Sequence, residues 1–152
     1  MQVLLRVDRG RLRAALLLPE KGMPLYYLPK QGDVLVCDFT RGFVPPEMVK
    51  VRKVVVISHR ARHRRRLCTM VPISSTSPEN EFDWHHLLRV NPLITDGAQQ
   101  LWVKCDMIYT VSFDRLDKAH RKTRGGREYF VPRLCPNDLE AVINGVKAYL
   151  PL

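Results

Sequence analysis

The chain has 152 residues, 45% of them apolar, and 25 Lys and Arg against 15 Asp and Glu, a formal net charge of +10. That length suits one domain with a real core, and the charge excess favours a polyanionic partner, either nucleic acid or an acidic protein segment, over a merely soluble basic protein. No apolar run reaches the ~20 residues that a helical membrane span needs, which excludes classes built on such spans.

Residues 1–22, MQVLLRVDRGRLRAALLLPEKG, differ from the rest. They read either as a small hairpin turning at Asp8-Arg9-Gly10 or as an amphipathic helix, and periodicity does not choose. Arg6, Arg11 and Arg13 interrupt any secretory core. Residues 1–28 are taken as an N-terminal extension, a genuine arm or the product of a start upstream of Met23. The domain proper is 29–152.

From Gly32 the pattern is rich in strands, expected near 33–39, 51–58, 67–74, 84–89, 101–105 and 108–112, with a short one at 127–131. Asn91-Pro92 and Asp96-Gly97 mark turns. Asn137 followed by Glu140 reads as a helix cap. Leu139, Val142, Ile143, Val146 and Leu150 then form one apolar helical face that Pro151 ends. Cys37, Cys68, Cys105 and Cys135 are widely spaced, without a Cys-x-x-Cys pair. They read as free thiols in a reducing cytoplasm rather than as a zinc site, so no metal or other cofactor is expected.

The chemistry gathers between Gly32 and Ser77. The strand VLVCDF is followed by a proline-punctuated loop ending in Glu47. Arg52 stands at the base of the second strand. Five arginines, Arg60, Arg62, Arg64, Arg65 and Arg66, crowd the next hairpin tip, and the third strand ends on Ser74. A carboxylate, a guanidinium and an alcohol at strand ends suit phosphate chemistry, and the arginine run suits backbone phosphates. Trp84, Tyr109 and Phe113 are candidate stacking partners for bases. His85 and His86 are candidate acid/base or RNA-contacting groups; on a strand, one faces in and the other out. Lys104 and Asp106 share a face by the same alternation. Each has a plain structural reading beside it: a solubility loop, a core histidine, a salt bridge, a serine in an ordinary turn.

The ordered set Gly32-Asp33, Glu47, Arg52, Pro72-Ile73-Ser74, Lys104-Cys105-Asp106 and Arg115-Leu116, with a terminal helix near 138–150, resembles the PemK/MazF/Kid family of toxin endoribonucleases from type II toxin–antitoxin pairs. Lys53 stands where the family usually has proline, Ser74 where it has threonine, and Lys104 where the Kid branch has arginine. The resemblance implies a mainly β fold with a C-terminal helix, the small SH3-like β-barrel that MazF and CcdB toxins share. It implies metal-independent, sequence-selective cleavage of single-stranded RNA to 2′,3′-cyclic phosphate and 5′-hydroxyl ends, with Arg52, Ser74, Asp106, Lys104 and Glu47 as catalytic residues. It further implies a homodimer, a small acidic antitoxin as partner, and DNA binding by the toxin–antitoxin complex. Two other classes fit the same fold. One is a CcdB-like protein-binding poison, though the chain ends Leu150-Pro151-Leu152 without the tryptophan those toxins use. The other is a catalytically inactive nucleic-acid-binding module.

Overall fold

The computed structural model describes residues 27–93 and 99–151. Nearly all of the N-terminal extension and the Asp96-Gly97 turn lie outside the described residues.

The described residues form eight strands and one long helix: β1 (Val34–Asp38), β2 (Val51–Val56), β3 (Leu67–Ser74), β4 (His85–Leu87), β5 (Trp102–Lys104), β6 (Tyr109–Ser112), β7 (Leu116–Thr123), β8 (Gly126–Phe130) and α1 (Pro136–Tyr149). The sheet order is β4-β5-β3-β2-β1-β7-β8, with β6 also paired to β3. Every strand pair is antiparallel. The fold is thus mainly β with a C-terminal helix, a curved and barrel-like sheet.

The central strands are apolar because both of their faces are buried. Leu35, Cys37, Val54, Val56, Cys68 and Met70 point into one core, closed by Phe39, Val111, Phe113 and Leu116. Val34, Val55, Val71 and Ile73 point the other way, into a second core beneath α1. Val54, Val55 and Val56 are fully buried, each worth roughly 1.5–3 kcal/mol of transfer free energy.

Pro72 sits mid-strand without harm. Thr69 turns its carbonyl and N–H toward the β2 side, to Ile57 N and Ser58 Oγ. Alternation therefore turns the backbone of Pro72 to the opposite edge. That edge pairs with β6 as far as Met70 and with β5 from Ile73. The missing N–H falls where β3 changes partners, so no ladder bond is lost.

Strand β7 was not expected, and β8 was only suggested. In LDKAHRKT only Leu116 and Ala119 are buried, so no apolar period announces it. The β7–β8 ribbon holds together through its backbone ladder and a turn at Gly126, whose φ of +120° favours glycine.

Helix α1 begins earlier than the sequence suggested, and the expected cap is not used. Cys135 is the N-cap and Pro136 opens the first turn, where a missing N–H costs nothing. Asp138, fully buried, accepts hydrogen bonds from Arg89 N, Val90 N and the His86 ring. Those bonds staple the helix to the end of β4. Gly145 lets α1 approach closely, since a Cβ there would lie 2.8 Å from Cys105 Sγ.

Gly32-Asp33 is likewise structural. Gly32 has φ +92°, and the buried Asp33 carboxylate takes hydrogen bonds from Tyr27 Oη at 2.5 Å and Lys30 N at 2.8 Å.

Candidate active site

Pairing between β2 and β3 runs from Val56–Met70 to Val54–Pro72. Continued by two residues, the register sets Arg52 opposite Ser74, but there the strands part. A cleft of roughly 290 Å³ opens between them. Arg52, Lys53, Ser74, Ser75, Thr76 and Gln99 supply its polar lining, over a floor of Ile73 and Leu101. Two cations, three hydroxyls and an amide face this space, and no carboxylate lines it among the described residues. Such a donor set matches a phosphodiester.

The hydroxyl of Ser74 is oriented. Its Oγ accepts a hydrogen bond from Thr76 N at 3.1 Å, a local turn that occupies an acceptor site and leaves the O–H to donate elsewhere.

One strand beyond, β5 pairs Trp102 with Ser74, and β4 pairs His85 with Lys104. Opposed residues share a face, and so do residues two apart. Ser74, Trp102, Lys104 and His85 therefore lie on one face of the sheet, and the β2–β3 register adds Arg52. Lys104 is about 8 Å from Ser74, two residues along and one strand across. It lies outside the cleft lining but within reach of a strand crossing it. Asp106 follows in the turn after β5, rather than in the strand.

His85 and Asp106 form a pair. The His85 Nδ1 accepts from Phe82 N at 3.1 Å, so the neutral ring carries its proton on Nε2. That nitrogen faces Asp106 Oδ1 at 3.9 Å. Asp106 Oδ1 is itself buried without a hydrogen-bond partner.

The other expected residues are placed differently. His86 Nε2 lies 2.8 Å from Asp138 Oδ1, on the helix side of the sheet, where it helps to hold α1. Glu47 folds back on its own loop, its Oε2 accepting from Val44 N at 2.7 Å. Among the described residues it makes no ion pair with Arg52, and it does not line the cleft. Tyr109 packs against Phe39 and Phe43, and Phe113 is buried; neither is free to stack on a base. Trp84 is stacked on Phe82 at 4.8 Å, with Phe82 half exposed.

Arg60, Arg62, Arg64, Arg65 and Arg66 are all exposed. Their loop is a short 3-10 turn, Arg60–Arg62, followed by a tight turn at Arg64–Arg66 in which Arg65 and Arg66 have positive φ. It is pinned by His63, which is buried between Ser58 Oγ at 2.6 Å and the edge of Phe113. Burial pushes the His63 pKa below its ordinary value. The loop follows the C-terminal end of β2, whereas Arg52 stands near its N-terminal end. A six-residue strand separates cleft and loop by roughly 20 Å.

Residues 30–147 match the family model described as "PemK-like, MazF-like toxin of type II toxin-antitoxin system". This chain belongs to that family. The PemK/MazF-like fold is also found in solved structures. MazF from Deinococcus radiodurans superimposes with a TM-score of 0.61 at 18% identity, covering 83% of this chain and 99% of that one. An endoribonuclease in complex with its cognate antitoxin, from a mycobacterial species, gives 0.57 at 20% identity, covering 82% and 96%. Among curated sequences, the putative uncharacterized protein YifN of Escherichia coli K12 is 29% identical over 147 residues, 83% of this chain and 97% of its own length.

Within this PemK/MazF-like chain, two departures from the family pattern, Lys53 and Ser74, fall in the same cleft. Lys53 adds a second cation there. Sequence reasoning missed Gln99, which no motif marks. Ser75 and Thr76 were visible only as near neighbours of Ser74. Among the described residues no group of three His, Cys, Asp or Glu is placed to hold a metal ion, and no helix is long and apolar enough to cross a membrane.

Proposed function

We propose that this toxin-family chain is an endoribonuclease that cuts single-stranded RNA without a metal ion. The observation that carries the reading is the cleft itself, where Arg52 and Lys53 meet three hydroxyls with no carboxylate among the described lining residues. The 2′-hydroxyl attacks the adjacent phosphorus and the 5′-oxygen departs, leaving a 2′,3′-cyclic phosphate and a 5′-hydroxyl. Arg52 donates two parallel hydrogen bonds to the non-bridging oxygens, where negative charge grows in the transition state. Ser74 donates its O–H to the same oxygens. Lys104 neutralises the developing charge from one strand away. Asp106 accepts the 2′-hydroxyl proton and returns it to the leaving 5′-oxygen, while His85, with its Nε2–H toward that carboxylate, orients it. Glu47 shapes the loop beside the cleft and takes no proton.

The same reading gives the chain a small acidic antitoxin, DNA binding by that complex, and a homodimeric assembly. It also places the protein in a reducing cytoplasm, consistent with the free Cys37, Cys68 and Cys105 thiols. Burial pushes the pKa of each to about 12, which keeps them unreactive.

The test is incubation of purified wild type and Arg52→Ala with mixed-sequence RNA, single- and double-stranded. Cutting of the single strand by wild type alone supports the reading. An intact, dimeric wild type that binds RNA without cutting it would instead make the chain an inactive nucleic-acid-binding module. Sedimentation at micromolar concentration tests the dimer.

A further inference from the structure

The β7–β8 ribbon is two-faced. Its register pairs Arg121 with Glu128, Lys122 with Arg127, and His120 with Tyr129. On one face the charges cancel, with Arg121 Nε 2.7 Å from Glu128 Oε2. On the other, Lys122 stands directly opposite Arg127, with His120 and Tyr129 as the next pair toward the sheet. All four are exposed, and the His120 and Tyr129 rings are 5.7 Å apart. Like charges directly opposite destabilise a ladder. Among the described residues neither Lys122 nor Arg127 has an ion-pair partner. An exposed two-stranded ribbon with nothing to offset that repulsion is suited to meeting an anion.

The ribbon's position adds to this. In the β1–β2 pair, Val34 lies opposite Val55, and in the β1–β7 pair, Leu35 lies opposite Lys118. The start of β1, the end of β2 and the outward run of β7 thus share one end of the sheet. The ribbon tip and the arginine turn both project from that end, the end away from the cleft. Tyr27 packs beside the base of β7. Lys118 Nζ is 5.8 Å from its ring centroid. Burial and Asp33 raise the Tyr27 pKa to about 12, while the charges of Arg133 and Arg60 act to lower it.

We infer that the His120, Lys122, Arg127 and Tyr129 face of the ribbon is a second RNA-binding surface, continuous with the arginine turn and separate from the cleft. It takes single-stranded RNA beyond the scissile site, Lys122 and Arg127 on phosphates, His120 and Tyr129 against bases. Charge complementarity selects an anion, and the adjoining ring pair favours nucleic acid over an acidic peptide, since bases stack on aromatic side chains. The inference rests on the RNA-cutting reading for its ligand, but its test does not depend on cleavage.

The probe is a labelled, mixed-sequence single strand carrying 2′-methoxy groups, which lacks the attacking hydroxyl. Its binding is followed by anisotropy across a salt series, for wild type, for Lys122→Ser with Arg127→Ser, and for the opposite-face control Arg121→Ser with Glu128→Ser. With two phosphates no longer neutralised, the log–log slope flattens by about 1.4, at roughly 0.7 each. The control keeps the wild-type slope. Tyr129→Ala weakens binding with the slope unchanged. The inference is overturned if the Lys122/Arg127 variant, folded by circular dichroism, binds as wild type does. It is also overturned if wild type fails to bind the probe, or if the variant loses only binding to a Glu/Asp-rich peptide. Failure of the cleavage reading looks different: unmodified RNA stays intact while the ribbon dependence of binding persists.

Discussion

Arg52 and Ser74 stand opposite each other at the one end of the β2–β3 hairpin where the two strands no longer pair. Strand pairing up to Val54–Pro72 fixes the approach of both residues. Beyond it, the parting strands leave a space between a guanidinium and a hydroxyl whose rotor is set by Thr76 N. Rigid strands thus supply the positioning and their splayed ends supply the room.

Arg52→Ala is expected to reduce cleavage more than any other single change, by about 2.7–4 kcal/mol of transition-state stabilisation, as when a donor is removed from an oxyanion site. Arg52 is exposed and outside both cores, so the melting curve stays where it was. Ser74→Thr keeps the donor and holds activity within a few-fold; Ser74→Ala does not. Single-turnover cleavage beside thermal melts checks both. Wild-type rates for Arg52→Ala would remove it from the mechanism.

Arg64, Arg65 and Arg66 replaced together by serine should weaken binding of every RNA about equally and flatten its salt dependence, by roughly 0.7 in log–log slope for each phosphate no longer neutralised. Cut sites should stay the same, because the turn lies roughly 20 Å from the cleft along β2. Arg66 is the least free of the three, 3.4 Å from Asp114 and lying over Phe113, so Arg64 and Arg65 should carry more of the effect. Cut-site mapping with the triple variant decides whether the loop reads only backbone.

Much of this was legible in the sequence, for a physical reason. Strands β1 to β3 are buried on both faces, so they spell continuous apolar runs, and polar residues at their ends stand out. That contrast exposed Arg52 and Ser74. The β7–β8 ribbon buries almost nothing, so its strands carry no apolar period and its two faces emerge only from the register. His85 and His86 look alike in sequence; only the sheet reveals that one faces Asp106 and the other Asp138. Glu47 is a carboxylate at the right place in the motif, yet a hydrogen bond to Val44 N three residues away satisfies it locally. Cys135 displaced the expected cap because Pro136 is suited to the first helical position, which starts α1 before Asn137.

The Asp138 staple should be the acid-sensitive part of the fold. Burial acts to raise its pKa, but the bonds from His86, Arg89 N, Val90 N and Cys135 outweigh that and hold it below the ordinary 3.8. A carboxyl depressed in the folded state stabilises fully above its unfolded value, and the contribution is lost as pH falls through the folded one. Asp138→Ala leaves the His86 ring and two N–H groups without their acceptor, a loss of about 3–5 kcal/mol at pH 7. Denaturant unfolding of wild type and variant across pH checks this: the gap should be widest above about pH 4 and close at lower pH. A gap independent of pH would mean the carboxylate charge is not what matters.

The central claim is that the chain's own side chains, without a metal, direct the 2′-hydroxyl at the phosphorus. Analysis of RNA product ends, with wild type and Arg52→Ala in EDTA, tests it most directly. The account predicts cutting by wild type that EDTA leaves intact, with 2′,3′-cyclic phosphate and 5′-hydroxyl ends, and near absence of cutting by Arg52→Ala. Strict dependence on magnesium, or products bearing 5′-phosphates, would contradict it.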